Sequence, residues 1–419
     1  MFEKNVVSLF SGCGGMDLGF EGGFKALPPC VPQSFYQDWV SIEEDGWLFL
    51  KKTGFTTVFA NDIQQFAKNT WVPFFKKRGT DPDVFRLGSI VDIVKFAQKD
   101  NRIFPKIEID VVTGGFPCQD FSVAGKRLGF QSHKSHLNNH IDVDNPSVES
   151  RGMLYFWMRE VISLLCPKIF IAENVKGLIS LKDAKEVIQK DFESINGKGY
   201  ILVPPTVLSA VEYGVPQTRE RVFFIGFLKS ALREEARVNL TKERIPDEWS
   251  PFPRPTHSHH KNNGFELFDK QPFVSSGQVL LDLPEPDDPN CSDLSQRKYS
   301  KAKWYGRKCQ GQTEIKLDLP GPTIRSEHHG NIEFRRLSAE HGGQISSELR
   351  NGLPERRLTV RECARLQTFP DEFELVRDCA EYPVNTSDAY RAIGNAVPPI
   401  LAFHLAIRLR QMWPKYFAS

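Results

Sequence analysis

Ile109-Asp110-Val111-Val112-Thr113-Gly114-Gly115-Phe116-Pro117-Cys118-Gln119 runs an apolar segment into a glycine pair and then into a cysteine held behind a proline. Residues 109–113 read as a short buried strand. Glycine frees the backbone where the strand ends, and Pro117 fixes φ just ahead of Cys118. This is a way to hold a nucleophile at the carboxyl end of a strand. A lone cysteine is more often a small buried apolar residue. Here the Gly-Gly-Phe-Pro frame, with polar residues at the ends of other strands, favours the nucleophile.

The same pattern recurs outward along the chain. Residues 6–10, 57–60, 168–172 and 222–226 are further short apolar strands, and residues 154–166 and 184–195 have helical period. Strand and helix alternate, which predicts an α/β fold: a mostly parallel, doubly wound sheet with helices on both faces. In such sheets ligands bind beyond the carboxyl ends of the strands. Four candidates fall at such ends: the turn Ser11-Gly12-Cys13-Gly14-Gly15, Asp62, Cys118 and Glu173.

The character changes after residue 227. Residues 228–356 are rich in Pro, Gly, Asn, Asp, His and Lys and show little helical period, as expected of a smaller, loop-rich domain. A compact pattern returns at Arg357. Thr359 and Glu362 stand three apart at the head of a short helix, the spacing of a capping box. A last helix starts near Pro398. The expected organisation is a catalytic, cofactor-binding domain over 1–227, a small domain over 228–384 that includes the 357–370 motif, and a segment 385–419 returning to the first domain.

Composition bounds the function. Hydrophobic content of 40% suits a globular core, and the net charge of +2 gives no global attraction to nucleic acid, so any such partner must meet local basic patches. The eight cysteines include no Cys-x-x-Cys pair, which argues against structural zinc and a secreted disulfide scaffold. His257, His259 and His260 come without carboxylate or cysteine ligand spacing, so no metal is expected. Free thiols, no signal-peptide pattern at the N-terminus and no run approaching a membrane span point to a cytoplasmic protein.

Each strand-end group suits a distinct task. A glycine turn after a strand lets backbone approach a nucleoside cofactor, and the helix that follows offers its N-terminus to a carboxylate. Asp62 can accept from ribose hydroxyls. Glu173, on an apolar strand end, should have a raised pKa and can carry a proton to a ring nitrogen. Gln217, Arg219 and Arg221 alternate onto one face of an extended segment, either a solvated edge or a clamp for an anion or carbonyl.

Six ordered motifs carry a family resemblance: Phe10-Ser11-Gly12-Cys13-Gly14-Gly15, Pro117-Cys118-Gln119, Glu173-Asn174-Val175, Gln217-x-Arg219-x-Arg221, Thr359-Val360-Arg361-Glu362-Cys363-Ala364-Arg365-Leu366-Gln367, and Gly394-Asn395-Ala396-Val397. Together they closely resemble the DNA (cytosine-5)-methyltransferases of bacterial type II restriction–modification systems. The resemblance implies a Rossmann-like fold dependent on S-adenosyl-L-methionine, with residues 228–356 where that family carries its variable target-recognition domain. It implies that Cys118 is the nucleophile, that Glu173 contacts the N3 and amino edge of a flipped cytosine, and that Arg221 contacts its O2 with support from Arg219. It implies cofactor contacts from Phe10, Gly12, Cys13, Gly14, Gly15, Asp62, Ile63, Ile90, Pro117, Leu154 and Asn395. The family usually shows Gly-Asp-Ile where this chain has Gly88-Ser89-Ile90, so Ser89 is left to accept where an aspartate touches the adenine amino group. The implied partner is double-stranded DNA, with function as a monomer and a cognate restriction endonuclease in the same system.

The chemistry suits these residues. Thiolate addition at C6 of cytosine turns C5 into a nucleophile toward a methylsulfonium, and the base must leave the duplex to reach such a pocket. DNA contact is expected from Gln119, Ser122, Lys126 and Arg127 after the nucleophile, from Arg297 and Lys298 on phosphates, and from Arg325, Arg335 and Arg336. Two insertions stand out. Residues 131–150 are polar and are expected to form part of a lid over DNA; residues 21–56 have no functional reading. The competing readings are an RNA cytosine-5 methyltransferase and a catalytically idle DNA-binding regulator.

Overall fold

Lys4–Leu9 (β1) is apolar on both sides and lies at the centre of the molecule. Val6 packs into the core on one side of the sheet, and Val7 and Leu9 into the core on the other. The computed structural model describes residues 2–100, 102–117, 154–180, 182–197, 199–259, 270–307, 309–326, 332–344 and 347–418. The other strands of this sheet are Phe55–Asp62 (β2), Phe85–Leu87 (β3), Val111–Gly114 (β4), Ile169–Val175 (β5), Tyr200–Leu202 (β6), Thr206–Ser209 (β7) and Glu220–Leu228 (β8). Their order is β7-β8-β5-β4-β1-β2-β3, with β6 also on β8. The pairs among β1 to β5 are parallel, and β6, β7 and β8 join antiparallel. Parallel strands buried on both faces demand unbroken apolar runs, and Ile169-Phe170-Ile171-Ala172 is such a run.

Helices cover both faces, as the alternation predicts. Gly15–Glu21 (α1), Gln65–Lys77 (α2), Val360–Leu366 (α6), Thr386–Asn395 (α7) and Pro399–Tyr416 (α8) contribute to one core; Ile90–Lys99 (α3), Leu154–Leu165 (α4) and Lys182–Glu193 (α5) contribute to the other. The capping box at the head of α6 is present, Thr359 accepting from the Glu362 N–H and Glu362 accepting from the Thr359 N–H. One expectation fails. Residues 386–416 contain a stretch with mean hydropathy 1.4, long and apolar enough to cross a bilayer, but 83% of it is buried inside the protein, as in a core helix.

The first insertion has a structural role. Lys25–Ala26, Val40–Glu44 and Trp47–Leu50 form a three-stranded antiparallel sheet. It is fastened to α8 by Phe24 and Trp39, whose rings lie 6.1 and 5.5 Å from Phe403.

Residues 270–376 hold together differently. Regular structure there is short, and buried arginines do much of the joining. Glu285 receives Arg336 at 2.8 and 2.7 Å and Arg356 at 3.1 and 3.2 Å. Arg356 also forks onto Glu362 at 2.8 and 3.0 Å. Arg365 forks onto Asp371 and reaches Asp282 at 2.6 Å, and Arg361 meets Asp293 at 2.6 Å. Three of these arginines project from α6 or its lead-in, so the helix is bolted to the loops of the smaller region by paired charges.

Candidate active site

The carboxyl ends of β4 and β5 lie side by side, with Gly114 opposite Ala172 in the parallel register, so Gly115 and Glu173 are neighbours. Glu173 is buried at 7% exposure. Its Oε1 pairs with the Arg221 Nε at 2.9 Å, because the antiparallel β8 sets Arg221 opposite Val175. A Cβ at Gly115 would stand 2.8 Å from Glu173 Oε2, closer than such atoms approach. The second glycine of the pair is therefore the vacancy into which the carboxyl fits. The next residue ties the turn down, as Asn174 Nδ2 donates to the Phe116 carbonyl at 3.1 Å. Burial raises the Glu173 carboxyl pKa; the charges of Arg221 and Arg219 oppose this without cancelling it. Cys118 lies outside the described residues, as do Gln119, Ser122, Lys126, Arg127 and the 131–150 insertion.

The two arginines part company. Gln217 and Arg219 are fully buried, and the Arg221 side chain is 12% exposed on the same inward side. Arg219 donates to the carbonyls of Ile324, Gly394 and Ala396 at 3.0, 2.8 and 2.8 Å. Gln217 donates to Gln367 Oε1 at 3.1 Å and accepts from the Ile324 N–H. The expected alternation holds into β8: Gln217, Arg219 and Arg221 turn inward while Thr218 and Glu220 are exposed, and Gln217 bridges Gly321 in parallel. Arg219 thus clamps two backbone segments, around Ile324 and around Gly394–Ala396, and acts on Glu173 through its field.

At the ends of β1 and β2 the glycine turn meets Asp62. The Gly12 N–H donates to Asp62 Oδ2 at 2.9 Å and the Gln64 N–H to Oδ1 at 2.8 Å. Burial raises the Asp62 pKa against these donors and that of Ile63. A Cβ at Gly12 or Gly88 would meet nothing within 4 Å, so both border open space. Phe10 is half-buried beside this space in the sequence, and Ile90 and Leu154 are buried apolar residues at the first turns of α3 and α4. Pro117 is half-buried and Asn395 exposed at the end of α7.

Three expected cofactor residues also make contacts within the protein. The Cys13 thiol donates to the Ala392 carbonyl at 3.4 Å on α7, and burial pushes its pKa up to about 12. Gly15 lies against Val397, whose carbonyl would stand 2.3 Å from a Cβ there. Ser89 is the N-cap of α3, accepting from the Val91 N–H at 3.3 Å. Asn61, which the sequence reading passed over, ties β2 to the exit of β3 by donating to Arg86 and Gly88 carbonyls at 2.8 and 3.0 Å. Its position beside Asp62 at a strand end was the available signal.

Among the expected DNA contacts, Arg297, Lys298 and Arg325 are exposed. Arg335 and Arg336 are not: they are 5% and 0% exposed and engage Glu348 and Glu285. Partly exposed carboxylates hold these buried guanidinium groups in place of phosphate, which corrects the reading of that pair as a DNA patch.

A family model for C-5 cytosine-specific DNA methylases matches residues 45–411. The chain belongs to this family. The methyltransferase is 30% identical over 410 residues to the type II methyltransferase M.NgoFVII of Neisseria gonorrhoeae, covering 95% of this chain and 84% of that one. It is 29% identical over 420 residues to M.BsuRI of Bacillus subtilis, covering 99% and 81%. Solved structures share the fold: the Dnmt2 methyltransferase of S. pombe superposes with a TM-score of 0.54 at 17% identity, covering 98% and 99%, and the methyltransferase EhMeth of Entamoeba histolytica with 0.53 at 15%, covering 99% of each. The protein is accordingly a DNA cytosine-5 methyltransferase of the bacterial restriction–modification type, with S-adenosylmethionine as its methyl donor.

Proposed function

We propose that the methyltransferase acts on a cytosine swung out of duplex DNA, through a covalent bond between Cys118 Sγ and C6 of the ring. The observation that carries this is the Glu173 carboxyl, buried, raised in pKa and wedged against Gly115, three residues before Cys118. Thiolate addition at C6 places negative charge on the ring, which a proton from Glu173 to N3 neutralises. Arg221, paired with Glu173 at 2.9 Å, is assigned to O2 of the ring. The resulting enamine attacks through C5, and the methyl donor supplies an electrophilic carbon on a sulfonium. As C5 bonds to the methyl carbon its bond to sulfur breaks and a neutral thioether leaves; loss of the C5 proton to a base, expulsion of the thiolate and return of the N3 proton to Glu173 then restore the aromatic ring and free the enzyme.

The open space bordered by Gly12 and Gly88, with Asp62 as a buried acceptor and Phe10, Ile90 and Leu154 as apolar walls, suits a nucleoside carrying ribose hydroxyls and an adenine ring. Arg297, Lys298 and Arg325 are the described candidates for DNA contact, in a target-recognition region spanning residues 228–384 between the two parts of the catalytic domain. A monomer working in the cytoplasm, protecting host DNA against a cognate endonuclease, completes the reading.

Duplex DNA carrying 5-fluorocytosine tests it. The C5 fluorine cannot leave as a proton does, so the wild-type protein with S-adenosylmethionine should become covalently trapped, and the C118A variant should not. Binding of such DNA without trapping would refute the covalent mechanism. Methyl transfer to tRNA with none to DNA would assign the RNA substrate instead.

A further inference from the structure

Behind the glycine turn lies a chain of buried polar groups that neither Cys118 chemistry nor the Asp62 contact uses. Ser8, Asp17 and Trp71 are 2%, 1% and 0% exposed. Trp71 Nε1 donates to Asp17 Oδ2 at 2.7 Å, and Ser8 Oγ donates to Asp17 Oδ1 at 2.5 Å. Ser11 Oγ lies 2.7 Å from Ser8 Oγ and 3.3 Å from the Ser8 carbonyl. These groups come from β1, the turn, α1 and α2, so the chain joins every element that shapes the loop. Trp71 also packs under the loop directly: a Cβ at Gly14 would stand 2.6 Å from its Cδ1 and 2.7 Å from Phe75, on which Trp71 stacks at 4.1 Å.

The direction of the protons follows from chemistry. Trp71 Nε1 and Ser8 Oγ donate to Asp17, one to each carboxyl oxygen, so Asp17 accepts on both sides; burial raises its pKa, and these donors lower it. Ser8 must therefore spend its one proton on Asp17. Its oxygen can then only accept, and the Ser11 hydroxyl turns its proton inward toward Ser8. What Ser11 offers outward is lone pairs.

We propose that Trp71, Asp17 and Ser8 are positioning residues for the methyl donor: they lock the Phe10–Gly14 loop in its left-handed turns and fix Ser11 as a hydrogen-bond acceptor facing that ligand. Phe10 and Gly12 sit at φ 54° and 56°, and Phe10 pays a backbone cost that a supporting lattice must offset. The inference rests on the loop being the S-adenosylmethionine site, so its test carries a separate control.

Affinity for S-adenosylhomocysteine, an unreactive probe, is measured by titration calorimetry for S8A, S11A, D17N and W71F, alongside KM and kcat for S-adenosylmethionine and affinity for duplex DNA. S8A and D17N should each weaken the probe about tenfold, the scale of one hydrogen bond to a charged group. KM should rise by the same factor, with kcat at saturation and DNA affinity within twofold of wild type. The S8A/D17N double variant should be little worse than either single one, because contacting members of one chain are not additive. Wild-type probe affinity in a folded S8A or S11A, or strict additivity in the double variant, would overturn the chain. If D17N does not fold, S8A and S11A still decide. D62A is the control: if it leaves probe affinity unchanged, the placement of the ligand fails; if it abolishes binding while S8A and S11A do not weaken it, only the positioning chain fails.

Discussion

Glu173 and Glu285 are both glutamates facing arginine, and they end up with opposite properties. Glu173, at the sheet end, is buried and has one arginine at 2.9 Å; its pKa is raised. Glu285, in the smaller region, keeps 34% of its side chain exposed and receives two arginine forks; its pKa is lowered to about 2. Desolvation acts on both, but it is deeper at Glu173, while Glu285 is partly hydrated and has more donors, so the two balances fall opposite ways. An under-satisfied carboxyl remains ready to take or give a proton. A saturated one is a fastener. The arginines divide the same way: Arg221 stands at the site, while Arg336, Arg356, Arg361 and Arg365 hold backbone in place.

The largest effect should come from the under-satisfied member. E173Q keeps the shape but cannot deliver a proton, so single-turnover methylation should fall about 10²–10⁴-fold. S-adenosylmethionine and DNA affinities should stay within a few-fold. The working form is the protonated carboxyl, so the wild-type rate should decline as pH rises through its raised pKa, and E173Q should be flat over that limb. An E173Q rate within threefold of wild type would erase the distinction between the two glutamates.

Next comes the fastener. R336M removes a fully buried guanidinium from Glu285 and Glu348, and breaking one side of a buried pair costs about 3–5 kcal/mol. Urea unfolding should show that loss, with the lower figure favoured because Glu285 is partly hydrated and can recover water. The sign with pH is opposite to that of Glu173. A depressed carboxyl stabilises the fold above its ordinary pKa near 4.5, and that stability is lost as pH falls toward about 2. Specific DNA affinity measured on the folded fraction should not change. A large drop there with intact stability would restore Arg336 to the DNA surface.

What was readable in advance follows the same division. The sheet was legible because burial on both faces forces apolar runs of strand length, and residues 168–172 and 222–226 could be little else. Glu173 was legible because it ends such a run. Arg335 and Arg336 were misread because a charge in a loop-rich segment carries no period to say which way it faces. Their partners, Glu285 and Glu348, lie 51 and 12 residues from Arg336. The alternation of Gln217, Arg219 and Arg221 was legible from spacing, but not that Arg219 would be taken up by the carbonyls of Ile324, Gly394 and Ala396, which lie more than 100 residues away. Ser89 could be seen as a departure from the family pattern but not as a helix cap, since capping depends on where α3 begins.

His257 and His404 extend the comparison to a second pair of buried titratable groups. Burial holds their pKa values down, to about 4 and about 3, and each cation would also repel the other. His404 lies between the rings of Trp39 and Tyr213 at 4.7 and 5.3 Å, which join the 21–56 insertion to the core. Depressed histidines contribute stability above the unfolded value of 6.5 and lose it as pH falls toward 4. H404F should therefore narrow the stability difference between pH 7 and pH 4 by about 3 kcal/mol, read from urea midpoints. An unchanged difference would show that carboxylates such as Glu285 carry the acid sensitivity alone.

The smallest effect separates exposed arginine from buried. Arg325 is exposed, yet its backbone lies against Gly394, where a Cβ would meet the Arg325 carbonyl carbon at 2.3 Å. The neighbouring Ile324 carbonyl is held by Arg219, so the segment carrying Arg325 is tied to the backbone before β8 and packs against Gly394. A long cation on a fixed backbone suits reading guanine or holding a phosphate, and R325A distinguishes the two. Loss of a base contact should cost about 1–3 kcal/mol on the preferred sequence and little on others. Loss of a phosphate contact should weaken all sequences alike and reduce the salt slope by about one. Both should leave urea stability within about 0.5 kcal/mol, as expected for a surface side chain. If R325A instead destabilises the fold as R336M does, the arginines of this region form one structural class, and the contrast drawn between Arg325 and Arg336 fails.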